Sequence, residues 1–217
     1  MTTGKGDRAR EAEAEAEAEA ARRFGRRSLF FGVGAAAAVG PVLESCEPAR
    51  APGGGAGVVG PGKTTVTLRV NGASRRVAVE PRQTLAEVLR FELGLTGTKV
   101  GCDRGSCSAC TVWLAGVPVC ACTLFVLDAV GRDVTTIEGL ARGEQLHPVQ
   151  QAFIDHDAMQ CGFCTPGMVM SCAALVARKP EVTLDDVRQA TSGNLCRCGT
   201  YPRVFEATLA VAGKKGA

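Results

Sequence analysis

Residues 97–122 read GTKVGCDRGSCSACTVWLAGVPVCAC, and the rest of the chain is organised around them. Cys102, Cys107 and Cys110 stand at C-x4-C-x2-C spacing, with which a short loop aims thiolates at a 2Fe–2S cluster. A loop curling that tightly strains its backbone, and Gly101 and Gly105 are expected to relieve the strain by adopting positive φ. Ser106, Ser108 and Ala109 are small enough to let peptide N–H groups approach the sulfurs, where such bonds tune the reduction potential. A structural zinc site also uses paired cysteines. Three cysteines within nine residues, among glycines, favour the cluster.

The fourth thiolate is not decided by spacing. Thr111 to Leu114 and residues 117–122 predict a hairpin turning at Ala115-Gly116. Cys120 and Cys122 lie two apart, so on one strand both point to the same face and alternation leaves the choice open. A second cysteine set lies downstream: Cys161 and Cys164 in QCGFCTPG, and Cys196 and Cys198 in GNLCRCGTYPR. A C-x2-C pair and a C-x-C pair again supply four thiolates, which taken alone suit zinc as well as a cluster. The chain has eleven cysteines, an odd number at spacings that do not suit a disulfide scaffold.

In GCDRGSCSACTV, GVPVCACTL, HPVQQAFIDHDAMQCGFCTPGMVMS and SGNLCRCGTYPRV, taken in that order, the chain resembles a known family. It is the iron–sulfur subunit or domain of the xanthine dehydrogenase and aldehyde oxidoreductase group of molybdenum hydroxylases. The resemblance runs from about residue 64 to 211 and implies two 2Fe–2S clusters. It selects Cys122 as the fourth ligand of the first, leaving Cys120 a packing thiol. It makes Cys161, Cys164, Cys196 and Cys198 the ligands of the second. Gln160 matches the glutamine that contacts the pterin, and Cys198 the cysteine close to it. The implied partner is a large subunit bearing the molybdenum–pterin cofactor, where substrate is hydroxylated. Electrons then leave through the second cluster, the first, and a FAD-binding medium subunit or a cytochrome acceptor.

The implied fold is α+β: an N-terminal β-grasp ferredoxin-like domain (64–142), then an all-α four-helix 2Fe–2S-binding domain (143–217). The residues agree. Val66, Leu68 and Val70 alternate, as do Val77 and Val79, across Asn71-Gly72, which predicts a hairpin. Thr84-Leu85-Ala86-Glu87 is a capping box opening a helix with Leu85, Val88, Leu89 and Leu93 on one face. Residues 134–137 are placed to close the sheet, 138–144 form a connector, and Trp113 is assigned to the core. Helices are predicted from His147, over 168–178, from Thr183 to Ala190, and over 204–212 with Pro202 near the first turn. Their loops would present the second cysteine set at one end of the bundle.

Residues 1–46 read as a leader. Glu11 to Ala20 alternates Glu and Ala, and its i,i+4 glutamates repel, so a solvated run is expected. Arg26-Arg27 before Ser28-Leu29-Phe30 and an apolar run of about fifteen residues, short of a ~20-residue span, resemble a Tat export signal. Export of an already folded domain suits a chain that must acquire its clusters before crossing. That reading makes the protein periplasmic. Leu43 and Ser45 before Cys46 resemble a lipoprotein signal while Glu44 does not, so a lipid anchor at Cys46 stays open beside ordinary cleavage. Residues 47–63, rich in Gly, Pro and Ala, are a flexible linker.

The 217 residues are 46% hydrophobic and 22% charged, a globular composition. A net charge of +3 without a basic, aromatic-interleaved stripe gives no nucleic-acid partner. His147 and His156 lie near no serine–acid or metal-ligand pattern, and neither GxGxxG nor a P-loop appears. No catalytic residue is therefore expected on this chain, which reads as an electron conduit. Two rival readings are a stand-alone periplasmic two-cluster ferredoxin and a zinc-stabilised interaction protein.

Overall fold

The computed structural model describes residues 60–213. The leader, its twin arginines, Cys46 and most of the linker lie outside the described residues. Thr64–Val70 (β1) and Ala73–Val79 (β2) pair antiparallel around Asn71 and Gly72, at φ 52° and 78°. Both turn residues in the left-handed region give the two-residue turn whose twist matches the strands. The expected alternation is present: Leu68, Val70, Val77 and Val79 are buried and their neighbours exposed.

Thr84 opens the next helix with both halves of its capping box made. Only Leu85–Glu87 (α1) is α-helical; the chain continues as a π turn, Val88–Glu92, rather than as the regular helix the sequence predicts. Leu85, Val88 and Leu89 are fully buried, and burial of such side chains, about 1.5–3 kcal/mol each, rewards the wider turn. Thr111–Leu114 (β3) and Val117–Cys120 (β4) form the second hairpin, with Ala115 and Gly116 at φ 49° and 78°. β4 ends at Cys120, two residues before the expected end, so Cys122 lies beyond the strand.

Asp133–Thr135 (β5) enters the middle of the sheet, giving the order β2-β1-β5-β3-β4. It runs parallel to β1 and antiparallel to β3. This mixed sheet closed over a short helix is the β-grasp arrangement. Its core gathers Leu68, Val79, Leu85, Leu89, Val112 and Val134.

Four helices follow. Pro148–Asp155 (α2) starts at His147, whose Nδ1 accepts from Val149 N–H at 3.2 Å. Thr165–Arg178 (α3) begins three residues before its predicted start and is buried on most sides. Leu184–Thr191 (α4) carries the predicted Thr183 cap, bonded by Asp186 N–H at 3.3 Å. Tyr201–Gly213 (α5) also begins earlier than expected, with Pro202 in its first turn, where a missing N–H costs nothing. Phe153, Met168, Met170, Val204 and Ala207 form the second core.

The sheet and the helices are locked together. Trp113 is half-buried and packs, as expected, against a core, that of the helices, and its indole N–H donates to Met170 O in α3 at 2.9 Å. Arg178, at the end of α3, donates to Gly116 O at 2.8 Å. Among the described residues no helix is long and apolar enough to cross a membrane.

Candidate metal centres

The first cysteine loop is held from two sides. The first-turn N–H groups of α1 have no intrahelical partners, and the segment carrying Cys122 satisfies two of them. Leu85 N–H donates to Leu124 O at 2.8 Å and Ala86 N–H to Ala121 O at 3.0 Å. That places Cys122, buried, beneath the loop of Cys102, Cys107 and Cys110.

The curl of the loop is made by Gly105 at φ 75°, as expected, and by Asp103 and Ser108 at 53° and 51°. Gly101 does not take positive φ. Its lack of a side chain serves close approach instead: a Cβ there would sit 3.3 Å from Cys107 Sγ and 3.4 Å from the Phe163 ring. Peptide N–H groups do reach the sulfurs. Ser106 and Arg104 donate to Cys102 Sγ at 3.1 and 3.5 Å, and Gly105 donates to Cys122 Sγ at 3.3 Å.

Within the sets, Cys102 lies beside Cys107, Cys110 beside Cys122, and Cys164 beside both Cys196 and Cys161. Four thiolates in each set are what a 2Fe–2S cluster would ask of its protein, so the donor chemistry fits the group. Among the described residues no three His, Cys, Asp or Glu side chains converge on one point. Cys120 Sγ turns instead towards Ser108 Oγ, at 3.6 Å, and the Gly105 carbonyl, at 3.9 Å.

Within each set the metal-free thiols differ sharply. The Arg104 N–H first, helped by Cys107 and the Ser106 N–H, outweighs the opposing effect of burial and brings Cys102 down to about 7. Burial pushes Cys110 up to about 12, reinforced by the Cys122 side chain. In the second set burial likewise pushes Cys164 up to about 12. Burial opposes ionisation of Cys196 as well, but the Thr200 hydroxyl, 3.2 Å from its sulfur, and the backbone at Thr200 outweigh it and bring that thiol to about 7.

Cys164 occupies the N-cap position of α3 without a side-chain capping bond, and Cys161 lies in the turn before it, made by Gly162 at φ 77°. Cys196 and Cys198 lie in the loop into α5, pinned by Tyr201, whose hydroxyl accepts from Cys196 N–H at 2.8 Å and donates to Asn194 O at 3.0 Å. Cys161, Cys198 and Gln160 are exposed, as are Phe163 and Leu195 beside them.

The two cysteine loops touch. Leu195 N–H, one residue before Cys196, donates to Cys107 O at 3.0 Å. Asn194 Nδ2 donates to Ser108 O at 3.1 Å, while its Oδ1 accepts from buried Ser171 at 3.0 Å. Gly167 packs so closely that a Cβ would collide with the Ser108 carbonyl. Asn194, Ser171, Tyr201 and Gly167 carry no chemistry that singles them out in the sequence; their place inside QCGFCTPGMVMS and GNLCRCGTYPR is the only signal.

Comparisons with known proteins agree with this geometry. A 2Fe–2S iron–sulfur cluster binding domain matches residues 68–129, and a 2Fe–2S binding domain matches residues 136–209. The protein is thus of the two-cluster iron–sulfur class, its ferredoxin-like sheet followed by a helical cluster domain. The nicotine 6-hydroxylase small subunit of Paenarthrobacter nicotinovorans is 44% identical over 154 residues, 71% of this chain and 93% of its own. The aldehyde oxidoreductase iron-sulfur-binding subunit PaoA of Escherichia coli K12 is 42% identical over 164 residues, 69% of this chain and 72% of its own. The crystal structure of quinoline 2-oxidoreductase from Pseudomonas putida 86 superposes with a TM-score of 0.68 at 41% identity, over 71% of this chain and 96% of the matched one. The chain belongs to the iron–sulfur small subunits of the aldehyde oxidoreductase and molybdenum hydroxylase family.

Proposed function

We propose that this chain carries electrons from a molybdenum–pterin site on a large partner subunit to a FAD-binding subunit or a cytochrome. Cys102, Cys107, Cys110 and Cys122 hold one 2Fe–2S cluster, and Cys161, Cys164, Cys196 and Cys198 the other. Each cluster, when bound, accepts and gives up one electron. The observation that carries the reading is the Leu195–Cys107 hydrogen bond at 3.0 Å. It joins the two ligand sets by one bond and one residue, so the protein lays a short route between them. The remaining residues keep that route rigid and supply N–H donors that favour the more negative, reduced state.

Gln160, exposed beside Cys161, offers the partner's pterin an amide that both donates and accepts. Purified protein is expected to hold about four irons and four labile sulfides, and to co-purify with a molybdenum-containing large subunit. Zinc at that stoichiometry, or no molybdenum in the pulled-down complex, overturns the reading. Gln160→Ala is expected to retain its iron while losing molybdenum or slowing reduction of the clusters.

The twin arginines and the short apolar run support delivery to the periplasm by the Tat route. Replacing Arg26 and Arg27 with Lys is expected to leave a cluster-loaded precursor in the cytoplasm; normal delivery contradicts the route. Detergent partitioning of Cys46→Ala against wild type reads out a lipid anchor.

A further inference from the structure

We propose that Cys120 is a positioning residue that sets the reduction potential of the first centre by holding the Gly105–Ser106 peptide group against Cys102. The inference rests on Cys102 being a ligand of that centre. Cys120 is the last residue of β4, paired with Thr111, the residue after Cys110, so its backbone is fixed by the sheet. Its sulfur donates to Gly105 O at 3.9 Å. That carbonyl and the Ser106 N–H are two ends of one peptide group, and the Ser106 end donates to Cys102 Sγ at 3.1 Å. A thiol has one proton. With that proton on Gly105 O, the Ser108 hydroxyl, 3.6 Å away, is the donor to the Cys120 sulfur.

The result is a relay of one direction: Ser108 O–H to Cys120 sulfur, Cys120 S–H to the Gly105 carbonyl, Ser106 N–H to Cys102 sulfur. Bonds in such a chain polarise one another. A holder is needed here because Gly105, at φ 75°, has no side chain to resist rotation of the peptide that follows it. The sign follows from charge. An N–H aimed at a ligand sulfur stabilises the added negative charge of the reduced centre and so raises its potential.

The test is a redox titration of the full, cluster-loaded chain, followed by EPR so that the two centres are read separately. Cys120→Val removes the donor and is expected to shift the first centre's midpoint downward while the second stays in place. Cys120→Ser keeps a hydroxyl donor and should restore most of the shift. Ser108→Ala, which leaves the thiol in place, should give a smaller shift of the same sign. An unmoved or raised first midpoint in Cys120→Val, or equal shifts in both centres, overturns the proposal. Iron content separates this from failure of the ligand assignment. Loss of half the iron in Cys120→Val makes Cys120 itself a ligand, which also ends the positioning role. Wild-type protein without a first centre refutes the assignment of Cys102.

Discussion

Gly167→Ala adds one methyl group where the helical domain sits on the first cysteine loop. Its Cβ would run into the Ser108 carbonyl oxygen and approach the Ala109 Cα and O to 3.1 Å. Both neighbours are backbone, so no side chain can swing aside. Loop and helix must part by on the order of 1 Å to regain ordinary contact. Overpacking of this kind costs about 1–3 kcal/mol, here the upper part of that range, about 2–3 kcal/mol, because backbone cannot yield, and the better helix propensity of alanine returns ~1 kcal/mol. The net loss is therefore about 1–2 kcal/mol, which in a domain of this size lowers Tm by roughly 2–8 °C. The same displacement draws Leu195 N–H from Cys107 O and the Asn194 amide from Ser108 O. Calorimetry of the cluster-loaded chain reads the first effect. Dipolar broadening between the two reduced centres in EPR reads the second. The expected outcome is a lower Tm and weaker broadening with iron content unchanged. A Tm equal to or above wild type, as a solvent-facing Gly→Ala would give, refutes the seating of α3 on the loop.

Trp113→Phe keeps the ring but drops the indole bond to Met170 O; thermal or urea unfolding should report a loss of about 1 kcal/mol, and iron should not change. Thr183→Ala removes the α4 cap and should cost about 1 kcal/mol in the same measurement. Lys179 first, and Thr183 after it, hold the Asp186 carboxylate well below its ordinary range. Its contribution is accordingly present at neutral pH and lost as pH falls through the acid range, so Lys179→Met should flatten the acid limb of the stability profile. In metal-stripped protein, alkylation mapped by mass spectrometry should label Cys102 and Cys196 near neutral pH, because a lowered pKa exposes thiolate at lower pH. Cys110 and Cys164, raised to about 12, should resist until strongly alkaline conditions; Cys164 reacting before Cys196 contradicts the assigned environments.

The elements whose determinants are local are legible in the sequence. Asn71-Gly72, the capping boxes at Thr84 and Thr183, and Pro202 each act within a few residues. What depends on distant partners is not. Residues 134–137 read as a closing strand, but the central place of the three-residue β5 comes from pairing with β1 and β3, which no periodicity announces. The π turn after Glu87 answers to the core beneath it, not to its own pattern. At the site, the cysteine spacings announce the ligand candidates. Composition points to Gly101 as a bearer of loop strain, yet Asp103 and Ser108 bear it, because Gly101 is needed for room beside Phe163 and Cys107. Trp113 reads as ordinary filling because its partner, the Met170 carbonyl, lies 57 residues away.

The union of sheet and helices through Trp113, Arg178 and the Gly167 seat has a kinetic consequence. Some electron carriers ferry charge on a tethered domain that swings between donor and acceptor, and their turnover slows as the medium thickens. Here the two ends of the wire are welded. Passage inside the chain is indifferent to solvent viscosity, and added glycerol slows only the arrival of whatever collects the electron at the far end.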